Sequence, residues 1–180
     1  SAGCRSLCVG FESGDQDTLN TMRKGIKREN MFQFMQDARK AGLLIHGCFM
    51  VGFPGETRES IDKTIELAMA LKPDTVQFYP VMAYPGTEAY DEYVKKGWLT
   101  ARSYREWLTP EGLHNCVVRN ETLTSSELVQ LCDRARRRFY LRPTYILFKL
   151  GQMLRDPAEF VRTAKSARVF FKHLVFGSRV

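Results

Sequence analysis

Residues 43–68 read LLIHGCFMVGFPGETRESIDKTIELA. Leu43 to Phe53 is apolar almost throughout, which predicts a short strand buried on both faces. The turn PGET breaks the run, and Ile61, Ile65, Ala68 and Met69 then recur at helical spacing. Strand, turn and covering helix are thus written in one stretch, and the order repeats on both sides of it. Upstream, SLCVGF (6–11) predicts a buried strand with Cys8 inside it, ending at the turn FESG. Asp15 or Asp17 then caps a helix carrying Leu19, Met22 and Ile26. Met31, Phe34, Met35, Ala38 and Ala41 follow at helical spacing until Gly42 stops them. Downstream, TVQFYPV (75–81) predicts a third strand, and a Pro-Gly-Thr turn leads into TEAYDEYVKKG.

Strand starts fall about 30 to 37 residues apart, the span of a strand and a returning helix. Apolar strands covered by helices predict a parallel α/β sheet with right-handed crossovers. Three such units cannot close a barrel of eight. They make half of a (β/α) barrel or one side of an open sheet, and either way function belongs at the C-terminal strand ends. The turns FESG, FPGET and AYPGT all fall there.

Residue 98 begins a different style of sequence. GWLTARSYREWLTPEGLHN reads as an irregular packed connection, and Thr124 with Glu127 opens a helix through a capping box. Arg142-Pro143 ends that helix. Asp156-Pro157 starts another, amphipathic one with Phe160, Ala164, Ala167, Phe171 and Leu174 on a stripe. The expected division is a half-barrel over 1–97 and a helical, basic extension over 98–180. Residues 1–133 carry 15 Lys/Arg against 18 Asp/Glu, whereas 134–180 carry 12 against 2. That basic end suits an anionic partner, a membrane surface or an acidic neighbouring domain; a solvated helix face is the plainer reading.

No apolar run reaches the roughly 18 residues of a membrane span. Five cysteines at irregular spacing point to reduced thiols and a cytoplasmic setting. The chain starts with Ser in mid-pattern, so it is expected to be a piece of a longer protein. Walker loops, G-x-G-x-x-G, serine elbows, C-x2-C and H-x3-H are all missing from the sequence. His46 reads as a pocket or core residue, and Cys48 as part of a buried strand.

The turns carry the candidate chemistry. Glu12 ends the first strand, where a carboxylate suits the two hydroxyl donors of a ribose, with Ser13 adding a hydrogen bond. Glu12 as a helix cap is the competing reading. Gly47 and Gly52 remove side chains beside Phe49, as a flat apolar ring such as adenine requires. Tight strand–helix packing explains Gly47 and Phe49 equally well. In the third turn, Pro80 and Pro85 interrupt pairing, which frees backbone groups of Val81, Met82, Ala83 and Tyr84 to read a base edge.

Together, CRSLCVGFESGDQDTLNTMRKG, HGCFMVGFPGETRESIDKTIELA and TVQFYPVMAYPGTEAYDEY resemble the fourth, fifth and sixth barrel strands of the radical S-adenosylmethionine (radical SAM) superfamily, over about residues 3–97. RRRFYLRPTYILFKL (136–150) is similar to the C-terminal extension of its cobalamin-binding members, the anaerobic Mg-protoporphyrin cyclase and hopanoid-biosynthesis type. The resemblance implies SAM as cofactor, with Glu12 and Ser13 on its ribose. It places Gly47, Phe49 and Gly52 under adenine, the 81–84 backbone at the adenine edge, and Lys24 or Arg23 at the SAM carboxylate. It also implies a four-iron four-sulfur cluster, and cobalamin, held elsewhere in the full-length protein. Superfamily members cleave SAM reductively to a 5′-deoxyadenosyl radical that abstracts a substrate hydrogen. The cluster motif C-x3-C-x2-C is not here, because Cys8 is followed by Val9-Gly10-Phe11, so Cys4 and Cys8 are not expected to be cluster ligands.

The chain alone is therefore expected to be inactive and to need the rest of its own polypeptide. A small-molecule or lipid-like substrate fits, as does peripheral contact at the inner face of a membrane. Rival readings are a tRNA methylthiotransferase, although no RNA-binding module is legible, and a non-catalytic half-barrel that self-associates through open edges.

Overall fold

The computed structural model describes residues 3–110, 112, 114–155, 160, 161, 163 and 177. The chain runs β1 (Ser6–Glu12), α1 (Gln16–Thr21), α2 (Arg28–Lys40), β2 (Leu44–Val51), α3 (Arg58–Leu71), β3 (Thr75–Pro80), α4 (Glu88–Lys95), a 3-10 turn (Tyr104–Trp107), α5 (Ser125–Tyr140) and α6 (Pro143–Arg155). The three strands lie parallel in the order β1-β2-β3. Half a (β/α) barrel with a helical continuation is what the alternating periods predicted.

Local chemistry sets the boundaries. Asp15 rather than Asp17 caps α1, accepting from the Thr18 amide. Capping boxes open α3 at Thr57/Ser60 and α5 at Thr124/Glu127. Pro143 opens α6, a helix the sequence reading did not anticipate there, at the position where a missing N–H is harmless. Most of the amphipathic helix expected from Asp156 onward lies outside the described residues.

The two faces of the sheet differ. On one, Phe11, Phe49 and Phe78 stack with centroids 5.6 and 5.2 Å apart, and Ile45, Val51 and Val76 are buried with them under α2, α3 and α5. On the other, Cys8 and Gln77 are exposed, and His46, Met50, Thr75 and Tyr79 are half-buried. Cys8 is therefore not enclosed as expected: its strand is covered on one face only. The hydrophobic cluster continues past residue 97, taking in Trp98, Trp107, Val118, Leu128 and Phe139.

Expectation and structure also part at the sheet edges. The free edge of β3 is covered, not open. Tyr140 Oη accepts from the Val76 amide at 2.8 Å and donates to the Val76 carbonyl at 2.7 Å. Arg136 donates to Phe78 O at 3.0 Å and Tyr145 to Asp74 O at 3.0 Å. Side chains of α5 and α6 thus satisfy the groups a further strand would have used. β1 is the other edge strand, and among the described residues no further strand pairs with it.

Candidate functional site

The end of β1 builds the site. Glu12 adopts φ 64°, a left-handed conformation that costs a non-glycine residue about 1 kcal/mol or more. The ladder slips there: Gly10 pairs with Cys48, but Glu12 pairs with Phe49, leaving Phe11 bulged. Phe11 turns into the helical layer, and the Glu12 carboxylate folds back over Gly10. A methyl group on Gly10 would overlap Glu12 Oε1 and lie 3.1 Å from its Cδ. Lys24 Nζ donates to Oε1 at 2.9 Å, with the Glu12 side chain 11% exposed. Oε2 is buried and meets no donor among the described residues. A desolvated, unpaired carboxylate oxygen is costly, and a hydroxyl donor from a ligand removes that cost. Tyr79 is half-buried on the same sheet face. Burial first, and the Glu12 charge second, push its phenol up to about 12, so it keeps its proton near neutrality.

The remaining expected residues divide. Met82 is half-buried, Ala83 buried and Tyr84 half exposed at the end of β3. The Met82 and Ala83 amides donate to no group among the described residues, whereas the Tyr84 amide donates to Met82 O at 3.1 Å. The Tyr84 ring lies 6.1 Å from that of Trp107. Arg23 pairs with Glu88 at the surface, which leaves Lys24 as the cation beside Glu12.

Ser13, Gly47, Phe49 and Gly52 go elsewhere. Ser13 is fully buried; its Oγ accepts from the Asp15 amide and shares a 3.2 Å hydrogen bond with Thr64 Oγ1, tying the turn to α3. Phe49, fully buried between Phe11 and Phe78, is out of a ligand's reach. A side chain at Gly47 would press on Phe49 and Pro73 at 3.2 Å, and one at Gly52 (φ 101°) would sit 2.8 Å from Leu128. The packing alternative holds for Gly47, whose space is filled by Phe49, Pro73 and Phe11, and Gly52 lies against Leu128 of α5. Gly10, which the sequence reading passed over, is the glycine that makes room for Glu12; its signal was a residue without a side chain two positions before the carboxylate.

Glu56 organises the neighbouring turn. Its Oε2 accepts from the Gly52 and Phe53 amides at 2.7 and 3.0 Å, while Oε1 is buried without a partner among the described residues. Burial outweighs the two amides and, aided by Asp15, raises the carboxyl from 4.5 to about 7. A raised acid favours folding while protonated, so its contribution is greatest below pH 4.5 and is lost as pH rises toward 7. Urea titrations between pH 4.5 and 7.5 are expected to show stability falling across this window. Glu56→Gln should flatten that slope, and an unchanged slope would refute the assignment.

Residues 1–68 match the radical SAM superfamily. An uncharacterized methyltransferase of Pyrococcus horikoshii is 32% identical over 145 residues, covering 81% of this chain and 31% of that protein. The matched segment, residues 1–68, is a radical SAM superfamily domain. Bacteriochlorophyllide d C-8(2)-methyltransferase of Chlorobaculum tepidum is 32% identical over 108 residues, or 59% of this chain and 24% of that enzyme. The chain thus spans about a third or less of the curated relatives it matches. Elp3 of Methanocaldococcus infernus, with its N-terminus deleted, shares the fold at TM-score 0.50 and 20% identity, over 78% of this chain and 37% of its own.

Proposed function

We propose that this chain forms the nucleoside-facing end of a radical SAM methyltransferase site, with Glu12 holding the SAM ribose. The observation that carries the reading is the Glu12 carboxylate: it sits at a C-terminal strand end, with Oε1 paired to Lys24 and Oε2 without a donor among the described residues. A ribose diol supplies the missing hydroxyl donor. Lys24 orients the carboxylate and offers its charge to the anionic end of SAM, and the Met82 and Ala83 amides, which have no acceptor among the described residues, read the adenine edge. The residues present therefore fit SAM. They do not fit the cluster, since no C-x3-C-x2-C set exists in the chain.

A cluster that supplied the electron for SAM cleavage would need its ligands from outside this chain. Cobalamin-assisted methyl transfer to a porphyrin-like or lipid-like substrate is the finer reading. It rests on the methyltransferase relatives and on the 136–150 resemblance. Among the described residues no helix is long and apolar enough to cross a membrane. The exposed Leu147 and Leu154 of α6, together with the basic end of the chain, extend the proposal to contact with an anionic membrane surface.

The test is SAM affinity of the full-length protein by equilibrium dialysis. Losing a hydrogen-bonded charge costs about 1.5–3 kcal/mol, so Glu12→Ala should weaken binding tenfold or more. Glu88→Gln, at a surface ion pair, should leave it unchanged. Unaltered affinity in Glu12→Ala sinks the assignment.

A further inference from the structure

Cys8, His46 and Cys48 meet on the uncovered face of the sheet. Cys8 stands opposite His46 in the β1–β2 ladder, and Cys48 stands opposite Gly10, so parallel pairing gathers three donors that are scattered in sequence. The two sulfurs lie 3.5 Å apart, and the two sulfurs and one His46 ring nitrogen all fall within 4.8 Å of one another. Thiolates at about 2.3 Å from a tetrahedral ion sit about 3.8 Å from each other, so closure needs shifts of only tenths of an ångström.

We propose that Cys8, His46 and Cys48 form a binding site for a thiophilic divalent cation of the Zn2+ class, separate from any cluster motif. His46 Nδ1 is hydrogen-bonded to Thr75 Oγ1 at 2.7 Å, which fixes the ring and leaves Nε2 as the ligand atom. Two sulfurs and an imidazole select zinc-like ions over calcium or magnesium. Three protein ligands leave a fourth position for water or a substrate heteroatom, the pattern of catalytic rather than structural zinc. Cys8 is exposed, His46 half-buried and Cys48 buried, so the ion has an entry path from the uncovered face. That face is also the one on which Glu12 lies over Gly10, which places the ion inside the half-barrel, below the proposed nucleoside position.

Anaerobic titration of the reduced chain with Co2+ tests this. One Co2+ per chain should bind with near-ultraviolet sulfur-to-cobalt charge-transfer absorption and visible bands of tetrahedral symmetry, both displaced by Zn2+. Cys8→Ser, at an exposed position, should weaken binding at least tenfold without unfolding the chain. Cys48→Ser and His46→Asn should do the same, whereas Cys4→Ser and Cys116→Ser should retain the bands. The proposal fails if no sulfur-to-cobalt absorption develops, or if it survives in a Cys8→Ser/Cys48→Ser double variant. It also fails if Cys8 and Cys48 close a disulfide in air even with Zn2+ bound to excess.

Discussion

Gly14→Ala is expected to lower the stability of the chain by about 3 kcal/mol or more, the upper range for overpacking against a rigid neighbour. At this size that corresponds to a fall of about 6–12 °C in the melting temperature. The reason is steric, because Gly14 is not held at positive φ. It lies directly on the backbone of α3: an added methyl would overlap the Lys63 carbonyl and sit 2.6 Å from Thr64 Cα. Backbone inside a helix cannot yield as a side-chain tip can. The Gly14 amide donates to Thr64 Oγ1 at 2.8 Å, so moving the turn also breaks that bond and the adjoining Ser13–Thr64 contact. Glu12 precedes this anchor by two residues, and the variant should lose SAM affinity along with stability. Gly151→Ala, in α6 with nothing within 4 Å of the new methyl, is the control and should stabilise by about 0.5–1 kcal/mol. Equal melting temperatures for Gly14→Ala and the parent chain would show that the turn does not rest on α3 in this way.

The same turn shows what a sequence can and cannot say. β2 and α3 were legible because their signals are local: an apolar run, a Pro-Gly turn, then Ile61, Ile65 and Ala68 on one stripe. The Thr124–Glu127 capping box was legible for the same reason. Glu12 was legible as a carboxylate at a strand end, yet its aim depends on a bulge and a positive φ that no local pattern announces. Phe49 and Gly47 were assigned to a ligand because a strand with two apolar sides does not reveal which side the helices take. The packing of Phe49 between Phe11 and Phe78 decides it. Cys8 and Cys48 are 40 residues apart, and only strand register makes them neighbours. The cover over β3 was likewise invisible: no local pattern marks Arg136 and Tyr140 as partners of the strand edge beneath them.

Asn120→Ala is the second substitution with a large expected effect, about 3 kcal/mol, and it acts on the opposite side of the strand ends. Asn120 is 2% exposed in an irregular segment that carries no periodic signal. Its Nδ2 donates to Phe53 O at 3.1 Å and Glu56 O at 2.9 Å, and its Oδ1 accepts from the Thr122 and Leu123 amides at 3.0 and 2.8 Å. One side chain therefore satisfies two carbonyls of the FPGE turn and two amides of the segment leading into α5. Each hydrogen bond contributes about 1 kcal/mol, and orphaned buried partners add a desolvation cost. Thr122 Oγ1 also donates to Glu56 O and Tyr93 Oη to Gly52 O, so the turn keeps other ties and the loss should stop short of unfolding. Asn120→Asp is the sharper probe: it keeps the acceptor and replaces the donor with a carboxylate facing two carbonyl oxygens, and it should destabilise at least as much as alanine. If hydrogen exchange shows the Gly52 and Phe53 amides equally protected in parent and Asn120→Ala chains, the turn does not depend on Asn120. Increased exchange there, with the α2 core amides unchanged, identifies Asn120 as the residue that couples the irregular segment to the end of β2.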